Sequence, residues 1–199
     1  MQLRTEEEND MVKSVMIVGV GGQGTLLASR LFGAALIKSG YDVKVSEVHG
    51  MSQRGGSVVT YVRYGDKVNS PIIEKGEADI ILSFEQLEAA RWLPYLKIGG
   101  KIIVNTQKID PMSVVSGETE YPEGVIDAIK ATGVKVKEVD ALKLAVEAGS
   151  TKAVNVALCG VAAKITDIPK EIWIESVKET VPPKFTELNL KAFDLGYNL

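Results

Sequence analysis

The chain has 199 residues, 45% of them hydrophobic and 25% charged, with a formal net charge of −3 at pH 7. That length suits one domain able to bury about 70% of the surface its unfolded chain exposes, and with no basic excess it excludes nucleic acid and anionic membranes as main partners. One cysteine and one histidine exclude an intrachain disulfide and a Cys-ligated iron–sulfur cluster, and leave little from which to build a zinc or haem site.

Residues 1–12, with Glu6, Glu7, Glu8 and Asp10, read as a disordered acidic tail ahead of a single domain over 13–199. The tail lacks the apolar core of a signal peptide. No run reaches the ~20 apolar residues of a membrane span, which places the protein in the cytoplasm. The first strand covers 14–18, and a helix over 25–39 carries Leu26, Leu27, Leu31, Ala34, Ala35 and Ile37 at helical spacing up to Ser39 and Gly40. A second strand over 43–48 is followed by a third over 57–64 with no helix between them, which predicts an antiparallel pair or an extension at the sheet edge. Core strands over 78–84 and 101–105 flank a short helix over 85–95.

Residues 111–122 are irregular, broken by Ser116-Gly117 and Tyr121-Pro122. Beyond them come a helix over 124–131, a strand over 134–139, and helices over 141–148, 154–165 and from Pro169 through Val177. Pro182-Pro183 precedes a closing helix over 185–195, whose Leu188, Leu190 and Phe193 predict an apolar docking face. Cys159 lies within the apolar run 154–165 and reads as inert core. Trp92 caps the sheet, Trp173 belongs to the core or an interface, and Lys135, Lys137 and Lys143 form a solvated face. Strands alternating with helices make this an α/β protein: a single Rossmann-like, mostly parallel sheet with helices on both faces and an antiparallel strand extension after strand two.

Between the first strand and the first helix, Gly19, Gly21 and Gly24 satisfy G-x-G-x-x-G, with Val20, Gly22 and Gln23 between them. Glycines there allow a tight turn, close approach of a ligand to the backbone and close helix packing. Free N–H groups at the helix start can face a phosphate or another anion. Glu47, ending the second strand, takes the place of a ribose-binding carboxylate. The plainer alternative is a glycine turn that only permits packing.

A second loop, His49-Gly50-Met51-Ser52-Gln53-Arg54-Gly55-Gly56, follows the second strand. Joined to the first, it resembles the gamma domain of the 2-oxoacid:ferredoxin oxidoreductases, and within that family the beta subunit of the indolepyruvate enzymes. The likeness continues through Ser70-Pro71, Leu93-Pro94-Tyr95-Leu96, Val104-Asn105-Thr106, Ala153-Val154-Asn155 and Glu187-Leu188-Asn189-Leu190, over roughly residues 14–196. It implies a heteromeric enzyme that oxidatively decarboxylates a 2-oxoacid such as indolepyruvate with coenzyme A, giving an acyl-CoA, CO2 and reduced ferredoxin. It implies no cofactor in this chain; thiamine diphosphate, magnesium and iron–sulfur clusters belong to a larger alpha subunit, ferredoxin is met through the complex, and this chain alone is inactive.

Gly19, Gly21, Gly22, Gln23, Gly24, Ser52, Gln53 and Arg54 are the candidate contacts for an anion or the partner's cofactor. Arg54 carries a planar fork that fits a carboxylate or a coenzyme A phosphate, and the His49 ring titrates near pH 6.5 when unperturbed. Either side chain could instead hold the loop or the partner. A stand-alone NAD- or FAD-binding oxidoreductase is the alternative, supported by Glu47 and the glycine motif and opposed by the missing helix after strand two.

Overall fold

The computed structural model describes residues 12–47 and 55–199. The elements run β1 (Lys13–Val20), α1 (Thr25–Lys38), β2 (Asp42–Glu47), β3 (Ser57–Gly65), β4 (Ala78–Ser83), α2 (Gln86–Trp92) and β5 (Leu96–Asn105). There follow α3 (Met112–Val115), α4 (Val125–Ala131), β6 (Lys135–Val139), α5 (Ala141–Ala148), α6 (Val154–Ala163), α7 (Lys170–Thr180) and α8 (Thr186–Tyr197). A short 3-10 turn, Leu93–Tyr95, joins α2 to β5. The irregular stretch foreseen over 111–122 therefore contains one helical turn, and β5 begins earlier than its apolar run announces.

The six strands form one sheet in the order β2-β3-β1-β4-β5-β6. β1, β4, β5 and β6 are parallel neighbours, whereas β3 is antiparallel to both β1 and β2. The antiparallel strand after strand two is thus present, and its place is between β1 and β2, with β2 displaced to the edge. The connection from β2 back to β3 needs no crossover helix because the two run in opposite directions.

β1 shows why both faces need cover. Val15 and Ile17 point into a core shared with Leu31, Phe32, Trp173 and Phe193. Met16 and Val18 point the other way, into a core with Ala89, Ile126 and Ile129. All four strand residues have no exposed surface, as expected where a central strand is sandwiched and its sequence is a continuous apolar run. α1, α6, α7 and α8 supply the first layer; α2 and α4 supply the second.

α6 is apolar on every side and nearly all of it is buried, the pattern of a central helix. Burial pushes the Cys159 thiol above its ordinary pKa, so it lacks the electropositive, partly exposed setting of a reactive cysteine. Trp173 is fully buried and meets Phe32 edge-on at 4.9 Å between ring centroids. Trp92 packs on Tyr95 at 5.1 Å.

The closing helix turns much of its apolar side inward. In α8, Phe193 is fully buried, Leu190 packs against the main core, and Leu188 packs against a small cluster of alanines from α5 and α6. These residues serve this chain's own core, with Leu188 and Leu190 partly buried and Phe185, just before the helix, exposed. Lys135, Lys137 and Lys143 are exposed, and among the described residues no helix is long and apolar enough to cross a membrane.

Candidate functional site

In open α/β sheets, ligands bind outside the carboxyl ends of the strands. Here that edge gathers the ends of β1, β4 and β5, the glycine loop, the end of β2 and the start of β3. Glu47 and Gly55 flank the second loop at this same edge. His49, Ser52, Gln53 and Arg54 themselves lie outside the described residues.

The glycine loop owes its shape to two left-handed residues, Gly22 at φ +101° and Gly24 at φ +84°. Gly24 is the N-cap of α1 and offers no side chain to the orphan N–H groups of the first turn. Gly19 serves a different purpose: a Cβ there would come 2.8 Å from Gln23 Oε1 and 2.9 Å from Phe84 Cβ. Glycine lets the Gln23 side chain fold under the loop.

Gln23 braces that loop. Its Oε1 accepts from the Val20 N–H at 2.7 Å, and its Nε2 donates to the Phe84 carbonyl at 2.9 Å and to Gln107 Oε1 at 3.2 Å. The Gly21 N–H donates to the Gly56 carbonyl at 2.9 Å, which ties the glycine loop to the exit of the second loop. Gly22 and Gly24, with Thr25, Leu26 and Thr60, line an open cavity of about 270 Å³.

Beyond the ends of β4 and β5 stands a set of buried polar residues that the sequence pattern did not single out as a site. Asn105 ends β5; its Nδ2 donates to the Phe84 carbonyl at 3.0 Å, and its Oδ1 accepts from the Ala141 N–H at 3.2 Å. Glu85 caps α2 by accepting from the Glu88 N–H at 2.9 Å and also accepts from the Ile109 N–H and the Tyr121 hydroxyl. Burial, and then the bond to Glu85, push the Tyr121 phenol above its ordinary pKa. Glu88 accepts from Arg91 Nε at 3.0 Å, Trp92 Nε1 at 3.2 Å and the Ser57 hydroxyl, so α2 grips the first residue of β3. Asn155, at the start of α6, reaches the Gly24 carbonyl at 3.4 Å.

A dinucleotide does not fit this arrangement. In the Rossmann order the second strand adjoins the first, and its terminal carboxylate reaches the ribose. Here β3 intervenes, so Glu47 lies two strand spacings from β1, about 9.6 Å instead of about 4.8 Å. Its carboxylate instead accepts from Ser29 Oγ at 2.6 Å. Among the described residues no cluster of three or more His, Cys, Asp or Glu could hold a metal ion.

Comparisons with known proteins agree with this edited sheet. Residues 14–199 match the family described as pyruvate ferredoxin/flavodoxin oxidoreductase. Indolepyruvate oxidoreductase subunit IorB of Pyrococcus horikoshii is 46% identical over 192 residues, covering 92% of this chain and 93% of that one. The subunit of the same name from Thermococcus kodakarensis is 44% identical over 190 residues, with the same coverage of each chain. The crystal structure of a keto/oxoacid ferredoxin oxidoreductase gamma subunit from Geobacter sulfurreducens superposes with a TM-score of 0.70 at 25% identity, covering 94% of this chain and 96% of that one. The chain belongs to the pyruvate ferredoxin/flavodoxin oxidoreductase family.

Proposed function

We propose that this chain is the cluster-free subunit of a heteromeric 2-oxoacid:ferredoxin oxidoreductase acting on an arylpyruvate such as indolepyruvate. In that reaction the carboxyl group leaves as CO2 and the remaining acyl carbon is joined to the sulfur of coenzyme A. The thiol proton is released, and the electrons pass to ferredoxin. The observation that carries this reading is the likeness, over 92% of the chain, to indolepyruvate oxidoreductase subunits of other organisms.

Thiamine diphosphate, held with magnesium in the larger partner subunit, would supply the electron sink for decarboxylation, and the partner's iron–sulfur clusters the route to ferredoxin. A chain with one cysteine cannot supply the thiolates a cluster needs, so its share of the work is binding and positioning. The carboxyl edge is the surface suited to that share. Gly22 and Gly24 offer backbone N–H groups at the start of α1, Ser52, Gln53 and Arg54 add donors, and together they would hold a phosphate of coenzyme A or of the partner's cofactor. His49 would hydrogen-bond a substrate oxygen or take up the released proton. Gln23 braces the glycine loop from within and the Gly21 N–H ties it to the exit of the second loop, so that each would present its donors to the same ligand.

The test is co-expression with the thiamine-diphosphate and iron–sulfur subunit, followed by an anaerobic assay of arylpyruvate- and coenzyme-A-dependent reduction of an electron acceptor. Turnover should require both chains, and Arg54→Ala should lose turnover while the complex still assembles. Failure of the two chains to associate, or turnover by either chain alone, would overturn the reading.

A further inference from the structure

A second concave surface lies far from the carboxyl edge. α6 ends at Ala163 and α8 at Tyr197, so the α8 side of β5 and β6 is left uncovered over its amino-terminal half. The result is a groove of about 540 Å³ whose floor is aliphatic, made by Ile103, Val161, Ile165 and Leu199. Its rim carries Lys101, Lys135, Lys137 and Lys164. The register explains the convergence: Lys101 pairs with Lys135 and Ile103 with Lys137, so these side chains leave the sheet on one face, and Lys164 comes down from the end of α6.

The charge on this rim is only partly compensated. Lys101, Lys135 and Lys164 form no ion pair among the described residues. Lys137 Nζ donates to the main-chain oxygen of Leu199 at 3.1 Å. Of the nearby carboxylates, Glu138 pairs with Lys130, and Asp167 pairs with Lys13 while Lys101 also helps hold it below the usual carboxylate range. Lysines are common on edge strands because they block pairing with other sheets, which would account for Lys135 and Lys137. Edge protection does not account for Lys101, on an interior strand, or for Lys164, on a different element, both aimed at the same groove.

We propose that this groove is a binding site for a small amphipathic organic anion, its apolar body on the aliphatic floor and its negative head among the four lysines. The volume falls within the usual range for small-molecule sites, about 300–1,000 Å³, and the lining has their character, mostly apolar with a few convergent polar groups. Lysine ammonium groups are mobile point charges without the fork of arginine. The site therefore selects for negative charge on an apolar body and not for one head-group geometry.

The probe is anilinonaphthalene sulfonate, an aromatic anion of this class, titrated by fluorescence into the isolated chain and into its complex with the larger subunit. Saturable one-to-one binding is expected in both, weakened by added salt and by about tenfold in the Lys135→Glu/Lys164→Glu double variant. Both positions are exposed, so circular dichroism should show an unchanged fold. Binding that ignores the charge reversals would overturn the proposal. So would binding that disappears on assembly, since that would make the groove a protein interface. Neither readout involves turnover, so the result stands apart from the test of the enzymatic reading.

Discussion

Glycines that look alike in the motif do different work at the site. Gly22 and Gly24 both have left-handed backbone, but a Cβ on Gly22 would meet nothing within 4 Å, whereas one on Gly24 would come 2.5 Å from Asn155 Nδ2. Alanine at either position bears the left-handed penalty of about 1–2 kcal/mol. Only at Gly24 must a neighbour also move, giving up its bond to the Gly24 carbonyl. Gly24→Ala should therefore destabilise the chain by about 2–3 kcal/mol and Gly22→Ala by about 1–2 kcal/mol in urea unfolding. Adding Asn155→Ala to Gly24→Ala should recover the contact part and leave the backbone part. If the three variants unfold at the same midpoint as the unsubstituted chain, the turn does not have this geometry.

Packing between elements decides the sign of another pair of substitutions. Helix propensity favours alanine over glycine by about 1 kcal/mol, so Gly→Ala in a helix stabilises unless something is in the way. At the crossing of α6 and α8, a Cβ on Gly160 would lie 2.2 Å from the Phe193 carbonyl oxygen and one on Gly196 2.0 Å from that of Ala157. Those oxygens belong to helix backbone and cannot step aside without moving the whole helix. Gly160→Ala or Gly196→Ala should cost about 3 kcal/mol, the upper part of the usual overpacking range. Gly33 in α1, with nothing within 4 Å of its Cβ, should gain about 0.5–1 kcal/mol on the same change. Thermal melts of the three variants read both signs at once, and a stabilised Gly160→Ala would mean that the two helices do not touch here.

The same crossing marks the limit of what the sequence discloses. The strands showed themselves because apolar runs such as Met16-Ile17-Val18 and Ile80-Ile81-Leu82 admit no other placement, and α6 because a helix without a polar face must be central. The glycine loop was legible from its spacing, and the resemblance rested on that loop together with the one that follows β2. Gly160 and Gly196 are 36 positions apart in the chain and carry no local signal, since only the approach of two helices gives them meaning. For the same reason the inward role of α8 is not legible in sequence: its leucines and Phe193 look surplus until α5 and α6 are placed beneath it. Glu85, Glu88 and Tyr121 escaped notice because a carboxylate near a helix start usually faces water. Only the fold shows that these two are buried and accept from the chain segments around them.

At the scale of the whole molecule, one topological change separates this sheet from a dinucleotide-binding one. Both begin with a strand, a glycine-rich turn and a helix whose first N–H groups point outward. A dinucleotide also needs the next strand beside the first, so that a carboxylate can reach the ribose while the pyrophosphate rests on the turn. Inserting β3 antiparallel between β1 and β2 removes that adjacency. It also gives the Gly21 N–H a protein carbonyl in place of a phosphate, and it leaves Glu47 bonded to Ser29. The insertion brings something in exchange: the loop joining β2 to β3 both leaves and re-enters at the carboxyl edge, beside the glycine loop. A surface that in a dehydrogenase would grip a cofactor is remade to bring two loops together. The isolated chain should accordingly show no saturable binding of NAD, NADP or FAD up to about millimolar concentration, where affinity corresponds to only about 4 kcal/mol, when titrated by calorimetry. Glu47→Gln should leave that result unchanged. Micromolar affinity for any of the three that Glu47→Gln abolishes would show that the inserted strand does not separate Glu47 from the ligand, and the dinucleotide-binding function would be restored.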